Sequence, residues 1–241
     1  MALHAWLVHP EGPPVGRVLF LHGNAQNVSY HLPAALWWVG EGYELLALDY
    51  RGYGRSGGDP DLDGALADVR AATRLLAARG AGDALPTLVF GQSLGSSLAA
   101  LALAGDADAR AGLDALVLEA GFAHFGRVGA EFASRFWLTW PLQWVPRLTL
   151  AHLPDPVDAI DRIELPVVIV HSRDDRVVGL HHGRALFEAA AGPKRFVEAG
   201  GPHIAAGADP EVREAVLEAV RELVRAVPGP ALAPDPGTPA R

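Results

Sequence analysis

The chain has 241 residues, of which 50% are hydrophobic and 20% charged, with a net charge of -8. That composition predicts a globular fold and argues against a nucleic-acid partner, because nothing in it would attract a phosphate backbone. The absence of cysteine excludes disulfides, thiolate metal sites and cysteine catalysis.

Residues 3–8, LHAWLV, read as a first strand that begins almost at residue 1. The start has neither a basic region nor a continuous apolar run, so it is not a signal peptide as written. No apolar stretch is long enough to cross a bilayer. A cytoplasmic location is the expectation, with a start inside a longer protein and a lost leader left open. Further β-type runs follow at 17–22, 43–49, 87–91, 115–120, 166–171 and 194–199. Helix-length segments fall at 30–40, 62–79, 94–104, 180–191 and 209–226, flanked by Gly, Pro or Asp. Apolar strands alternating with helices predict an α/β fold with a mainly parallel, doubly wound sheet covered on both faces. Residues 1–226 are expected to form one domain, and the Pro-rich tail at 227–241 a disordered terminus.

Five loops carry chemistry-bearing residues. The first, HGNAQN after the 17–22 strand, holds both asparagines of the chain, Asn24 and Asn27. The second, GYGRSGG at 52–58, contains the glycine spacing of a dinucleotide site. A pyrophosphate there would need a helix N-terminus at the third glycine. Instead Gly58, Asp59, Pro60 and two more aspartates follow, so no cofactor is expected. The third, GQSLG at 91–95, joins a strand to a helix and puts Ser93 at the turn. A capping serine would suit that place too. A serine raised on a strained turn at the strand end, however, is the arrangement of a nucleophile.

A serine hydroxyl needs an oriented base, and the base needs an orienting acid. The chain supplies them in order. Asp174 and Asp175 follow the 166–171 strand, and His203 lies in a Gly-rich loop after the 194–199 strand. Backbone N–H groups of Asn24 and Leu94 are the candidates for holding the developing oxyanion, worth about 3–4 kcal/mol apiece. Between residues 122 and 162 the alternation breaks. Phe132, Phe136, Trp140 and Trp144 recur every fourth position, with Trp137 beside them. This insertion reads as a small helical lid, broken by Pro141 and Pro146, with Phe136, Trp137, Trp140 and Trp144 as candidate substrate contacts. The adjacent His181 and His182 are expected to point apart into solvent and to hold no metal.

The pieces HGNAQN, LDYRGYGRSGG, GQSLGS, HSRDDRVV and GGPH resemble the α/β-hydrolase superfamily, serine-hydrolase branch, over about residues 3–226. Within it they are similar to bacterial hydrolases related to eukaryotic membrane-associated acyl-protein thioesterases and to serine-aminopeptidase-type domains. The resemblance implies Ser93 as nucleophile, His203 as base and Asp175 as acid, with Asp174 second and Glu119 a minor alternative. Ser172 stands where the family usually has glycine. The implied activity is hydrolysis of carboxylic esters or thioesters through an acyl-enzyme, on a small-molecule or lipid-like acyl substrate. The alternatives are a serine-aminopeptidase-type peptidase and a non-catalytic binding module. A weak peripheral membrane contact through the aromatic segment is a further expectation.

Overall fold

The computed structural model describes residues 1–135 and 138–226. The tail at 227–241 therefore lies outside the described residues. Seven strands form one sheet: β1 (Ala5–Val8), β2 (Gly16–Leu21), β3 (Tyr43–Leu48), β4 (Thr87–Gln92), β5 (Ala115–Glu119), β6 (Val167–Ser172) and β7 (Lys194–Ala199). Their order is β1-β3-β2-β4-β5-β6-β7. Only β1 runs antiparallel, pairing Ala5 with Leu48 and Val8 with Leu45. All other pairs are parallel.

Strands β2 to β6 are buried throughout, as continuous Val/Leu/Ile runs require when helices cover both faces. The period-2 alternation of a strand then sorts their side chains into two cores. One contains Leu19, Leu21, Val89, Leu116 and Ile169. It lies against α3 (Leu62–Arg79), α4 (Leu94–Ala104), α8 (Pro156–Ile160) and α9 (Leu180–Ala189). The other contains Val18, Phe20, Phe90, Val117 and Val168 and lies against α1 (Val28–His31), α2 (Leu36–Gly40) and α10 (Pro210–Ala226). A short α5 (Ala107–Arg110) precedes β5.

The segment read as one helix over 30–40 is α1, a 3-10 turn at Leu32–Ala34, and α2. Pro33 has no N–H and interrupts the ladder. The β5–β6 crossover holds α6 (Phe125–Ser134), a 3-10 turn at Trp140–Leu142, α7 (Trp144–Thr149) and α8. Pro146 does not end α7, because it sits in the first turn, where its missing N–H had no partner within the helix.

The direction of winding across the sheet reverses between β2 and β4, which are parallel neighbours. The connection after β2 packs on one face and α4 after β4 on the other. Their C-terminal ends therefore bound a crevice, the usual ligand position in an open parallel sheet.

Candidate active site

Ser93 follows β4 with φ 52 and ψ -114 and precedes α4 without a capping hydrogen bond from its side chain. Its N–H donates to the Glu119 carbonyl at 2.8 Å. The turn needs its two glycines for space. A Cβ on Gly95 would lie 2.0 Å from the Leu21 carbonyl oxygen, and one on Gly91 2.7 Å from that of Gly95. A non-glycine residue held at positive φ in such a turn stores backbone strain.

Ser93 and His203 line a single cavity of about 430 Å³ with Asn24 and Leu94. His203 Nδ1 donates to Asp175 Oδ2 at 2.7 Å. In neutral form this leaves Nε2 with a lone pair. The other carboxylate oxygen, Oδ1, accepts the N–H groups of Val177 and Val178 at 2.7 and 2.9 Å. Burial by itself would raise the Asp175 carboxyl. The hydrogen bond and charge of His203, with those two N–H groups, outweigh it and hold Asp175 below the ordinary carboxylate value. Asp174 is exposed, accepts the Gly201 N–H at 3.2 Å and lies 4.0 Å from the Arg173 guanidinium. It does not touch His203.

Glu119 does not pair with His203 either. Its carboxylate accepts Gln92 Nε2 at 2.7 Å and the Ala206 N–H at 2.9 Å. Burial raises its pKa against the pull of those two donors. It ties the loop after β7 to the end of β4. Ser172 has a similar place: its Oγ donates to the Gly201 carbonyl at 2.5 Å and accepts the Asp174 N–H at 3.0 Å. It joins the Asp175 and His203 loops directly, a task glycine could not perform.

Asn24 lines the cavity from the loop after β2, where Ala25 and Gln26 both have positive φ. Asn27 is the cap of α1, accepting the Ser29 N–H at 3.0 Å. Buried Asp49 anchors this loop by accepting the Val28 N–H at 2.7 Å. A Cβ on Gly54 would overlap Asp49, so the GYGRSGG glycines serve close packing, and no helix opens before Leu62.

The cavity's apolar wall differs from the one expected. Trp140 and Trp144 are 58% and 56% exposed and do not line it. Phe136 and Trp137 lie outside the described residues. The wall is Phe122, Phe125, Val128 and Phe132, with Val177 and Val178. α6 ends at Ser134 and Trp140 begins a separate turn, so Phe132 and the two tryptophans do not lie on one helix. Phe122 and Phe125 directly follow the end of β5, a position that could have marked them.

His181 and His182 also depart from expectation. Their Nε2 atoms converge on Glu131 of α6, at 3.0 and 3.3 Å, and His182 is buried. Three ligand atoms lie within 4.8 Å of one another, yet they do not suit a cation. His182 Nδ1 accepts the Ala123 N–H at 3.1 Å, so neutral His182 carries its proton on Nε2, the atom an ion would need bare.

Burial lowers His182 to about 4 and His22 likewise to about 4. Both stay neutral in the folded chain while their unfolded counterparts take up protons below about 6.5. Their contribution is therefore fully present above pH 6.5 and is lost as pH falls toward 4. For His22 alone the loss by pH 5 is about 2 kcal/mol, and His182 adds in the same direction. Urea unfolding midpoints should drop between pH 7.5 and pH 5, and less steeply in His182→Gln. A flat midpoint would contradict this.

Residues 12–160 match the hydrolase family described as serine aminopeptidase, S33. Over 229 residues the chain is 33% identical to an uncharacterized protein of Mycobacterium tuberculosis, covering 93% of this chain and 75% of that protein. It is 30% identical over 191 residues to the lysophosphatidylserine lipase ABHD12 of Rattus norvegicus, covering 74% of this chain and 46% of that one. The solved esterase Pf2001 of Pyrococcus furiosus has the same fold, with a TM-score of 0.75 at 19% identity over 92% of this chain and 87% of that chain. No helix among the described residues is long and apolar enough to cross a membrane. The sheet order, the strand-to-helix serine and the family match agree: this chain is an α/β-hydrolase of the serine aminopeptidase S33 family.

Proposed function

We propose that the chain is a serine hydrolase that cleaves carboxylic esters or thioesters with an apolar acyl group through an acyl-enzyme. The observation that carries this reading is Ser93 at φ 52 sharing one cavity with a histidine bonded to a buried carboxylate. In the proposed reaction Ser93 Oγ attacks the carbonyl carbon while His203 Nε2 takes its proton. Asp175 keeps Nδ1 protonated and stabilises the imidazolium. The N–H groups of Asn24 and Leu94 stabilise the tetrahedral oxyanion. His203 then protonates the departing alcohol or thiol. Water, deprotonated by His203, attacks the acyl-enzyme and releases the acid.

The phenyl and valine wall supports an apolar acyl group. A peptidase binding a free amino terminus would need a carboxylate in the cavity, and among the described residues that line it there is none. The β5–β6 crossover covers the site as a lid in this reading.

The test is fluorophosphonate labelling with peptide mapping, followed by a panel of acyl esters. A single adduct on Ser93 and a preference for octanoyl over acetyl are expected. No adduct would favour a non-catalytic binding module, and a preference for acetyl would overturn the apolar-acyl assignment.

A further inference from the structure

The β5–β6 crossover carries an apolar surface that the catalytic reading does not use. Leu138, Trp140, Leu142, Trp144 and Leu148 are 69%, 58%, 51%, 56% and 68% exposed. Other exposed large apolar side chains, such as Trp6, Tyr30 and Leu75, are scattered along the chain, as is ordinary. Five within eleven positions are not, and such a patch marks a binding surface.

Charge says what kind. The chain carries 28 acidic residues, but from Phe132 through Pro154 there is no Asp or Glu. The same stretch holds Arg135 and Arg147. Arg135 is committed, donating to the Val177 carbonyl at 2.7 Å and lying over the Phe132 ring. Arg147 has no ion-pair partner among the described residues. It borders a second cavity with Arg127 and His124, each of which has its own carboxylate, Glu131 and Asp155. This stretch of an acidic protein thus carries no carboxylate of its own and holds an unpaired cation three residues after Trp144, while Asp155, which borders the same cavity, is taken by His124. Tryptophan favours the boundary between water and lipid, and arginine the anionic headgroups above it.

We propose that this face docks on an anionic phospholipid bilayer, with Trp140, Trp144, Leu138 and Leu148 entering the acyl boundary and Arg147 meeting lipid phosphate. Phe132 connects it to the active site, being 43% exposed and a wall residue of the Ser93 cavity. An acyl chain could move from the bilayer into the cavity past that ring. This last clause rests on the proposed hydrolase activity; the docking does not.

The experiment is sedimentation of the full chain with vesicles of phosphatidylcholine, alone or mixed with phosphatidylglycerol, with Ser93→Ala run in parallel to separate docking from turnover. Wild type and Ser93→Ala should bind the mixed vesicles alike, and at least tenfold more tightly than phosphatidylcholine alone. Trp140→Ser/Trp144→Ser should lose at least tenfold on mixed vesicles, with thermal melting showing that it folds. Arg147→Glu should weaken binding to the mixed vesicles only. Equal binding by the double variant, or none by wild type, would overturn the proposal. So would a wild-type dimer that the double variant dissolves and that ignores vesicles, which would assign the face to a second copy of the chain.

Discussion

Ser93→Ala is expected to hydrolyse acyl esters about 10⁶-fold more slowly than wild type, the scale on which removing a serine nucleophile acts. It should do so without unfolding. The Ser93 side chain caps nothing, and the N–H that bonds the Glu119 carbonyl remains in the variant. Its unfolding free energy should stay within about 0.5 kcal/mol of wild type. Ser93→Gly supplies the control for strain. Glycine reaches positive φ without a steric cost, so this variant should be more stable than Ser93→Ala by about 1 kcal/mol while equally inactive. Turnover of a chromogenic ester together with urea unfolding checks all three values. A Ser93→Ala enzyme within tenfold of wild type would remove Ser93 from the chemistry.

Asp175→Asn should lower kcat by about 10⁴ through a change of tautomer rather than a loss of structure. Asp175 Oδ1 accepts the Val177 and Val178 N–H groups, and Oδ2 accepts His203 Nδ1. An asparagine can keep only one of these roles with its single carbonyl oxygen. Two N–H donors hold that oxygen on the Val177 side, which turns the amide N–H toward His203. Nδ1 must then accept, and the imidazole proton moves to Nε2, the atom that should receive the Ser93 proton. Steady-state kinetics over pH tests this, with melting to show that the loop is intact. A loss below tenfold would mean that another carboxylate orients His203. Neither neighbour is placed for that, since Glu119 holds the Ala206 N–H and Asp174 the Gly201 N–H.

Local signals were sufficient wherever one element decided the outcome. The seven strands announce themselves as apolar runs, and all seven form within two residues of the expected bounds. Long helices such as Leu62–Arg79 appear where the flanking Gly, Pro and Asp residues place them, this one opening on Asp61, whose side chain accepts the Gly64 N–H. The Gly-x-Ser-x-Gly turn was legible because strand, strained turn and helix are contiguous.

The site needed more. Asp174 and Asp175 are indistinguishable by composition; the family resemblance points to Asp175, and the pairing of β6 with β7 brings it to His203. The same register lets Ser172 join the two loops. Glu119 ends a strand just as an acid might, but the fold gives its oxygens to Gln92 and Ala206. The aromatic spacing in the β5–β6 crossover did not tell which rings reach the cavity, because periodicity identifies a common face only while one helix persists. Here α6 stops at Ser134, so Phe132 faces the cavity while Trp140 and Trp144 face outward. His181 and His182 converge on a carboxylate fifty residues away, which no local pattern encodes. Sequence by itself determined the strands, the main helices, the serine turn and the order of serine, acid and histidine, because each depends on neighbouring residues. Tertiary structure alone decided which rings wall the cavity and which face the surroundings, because those depend on the packing of distant elements.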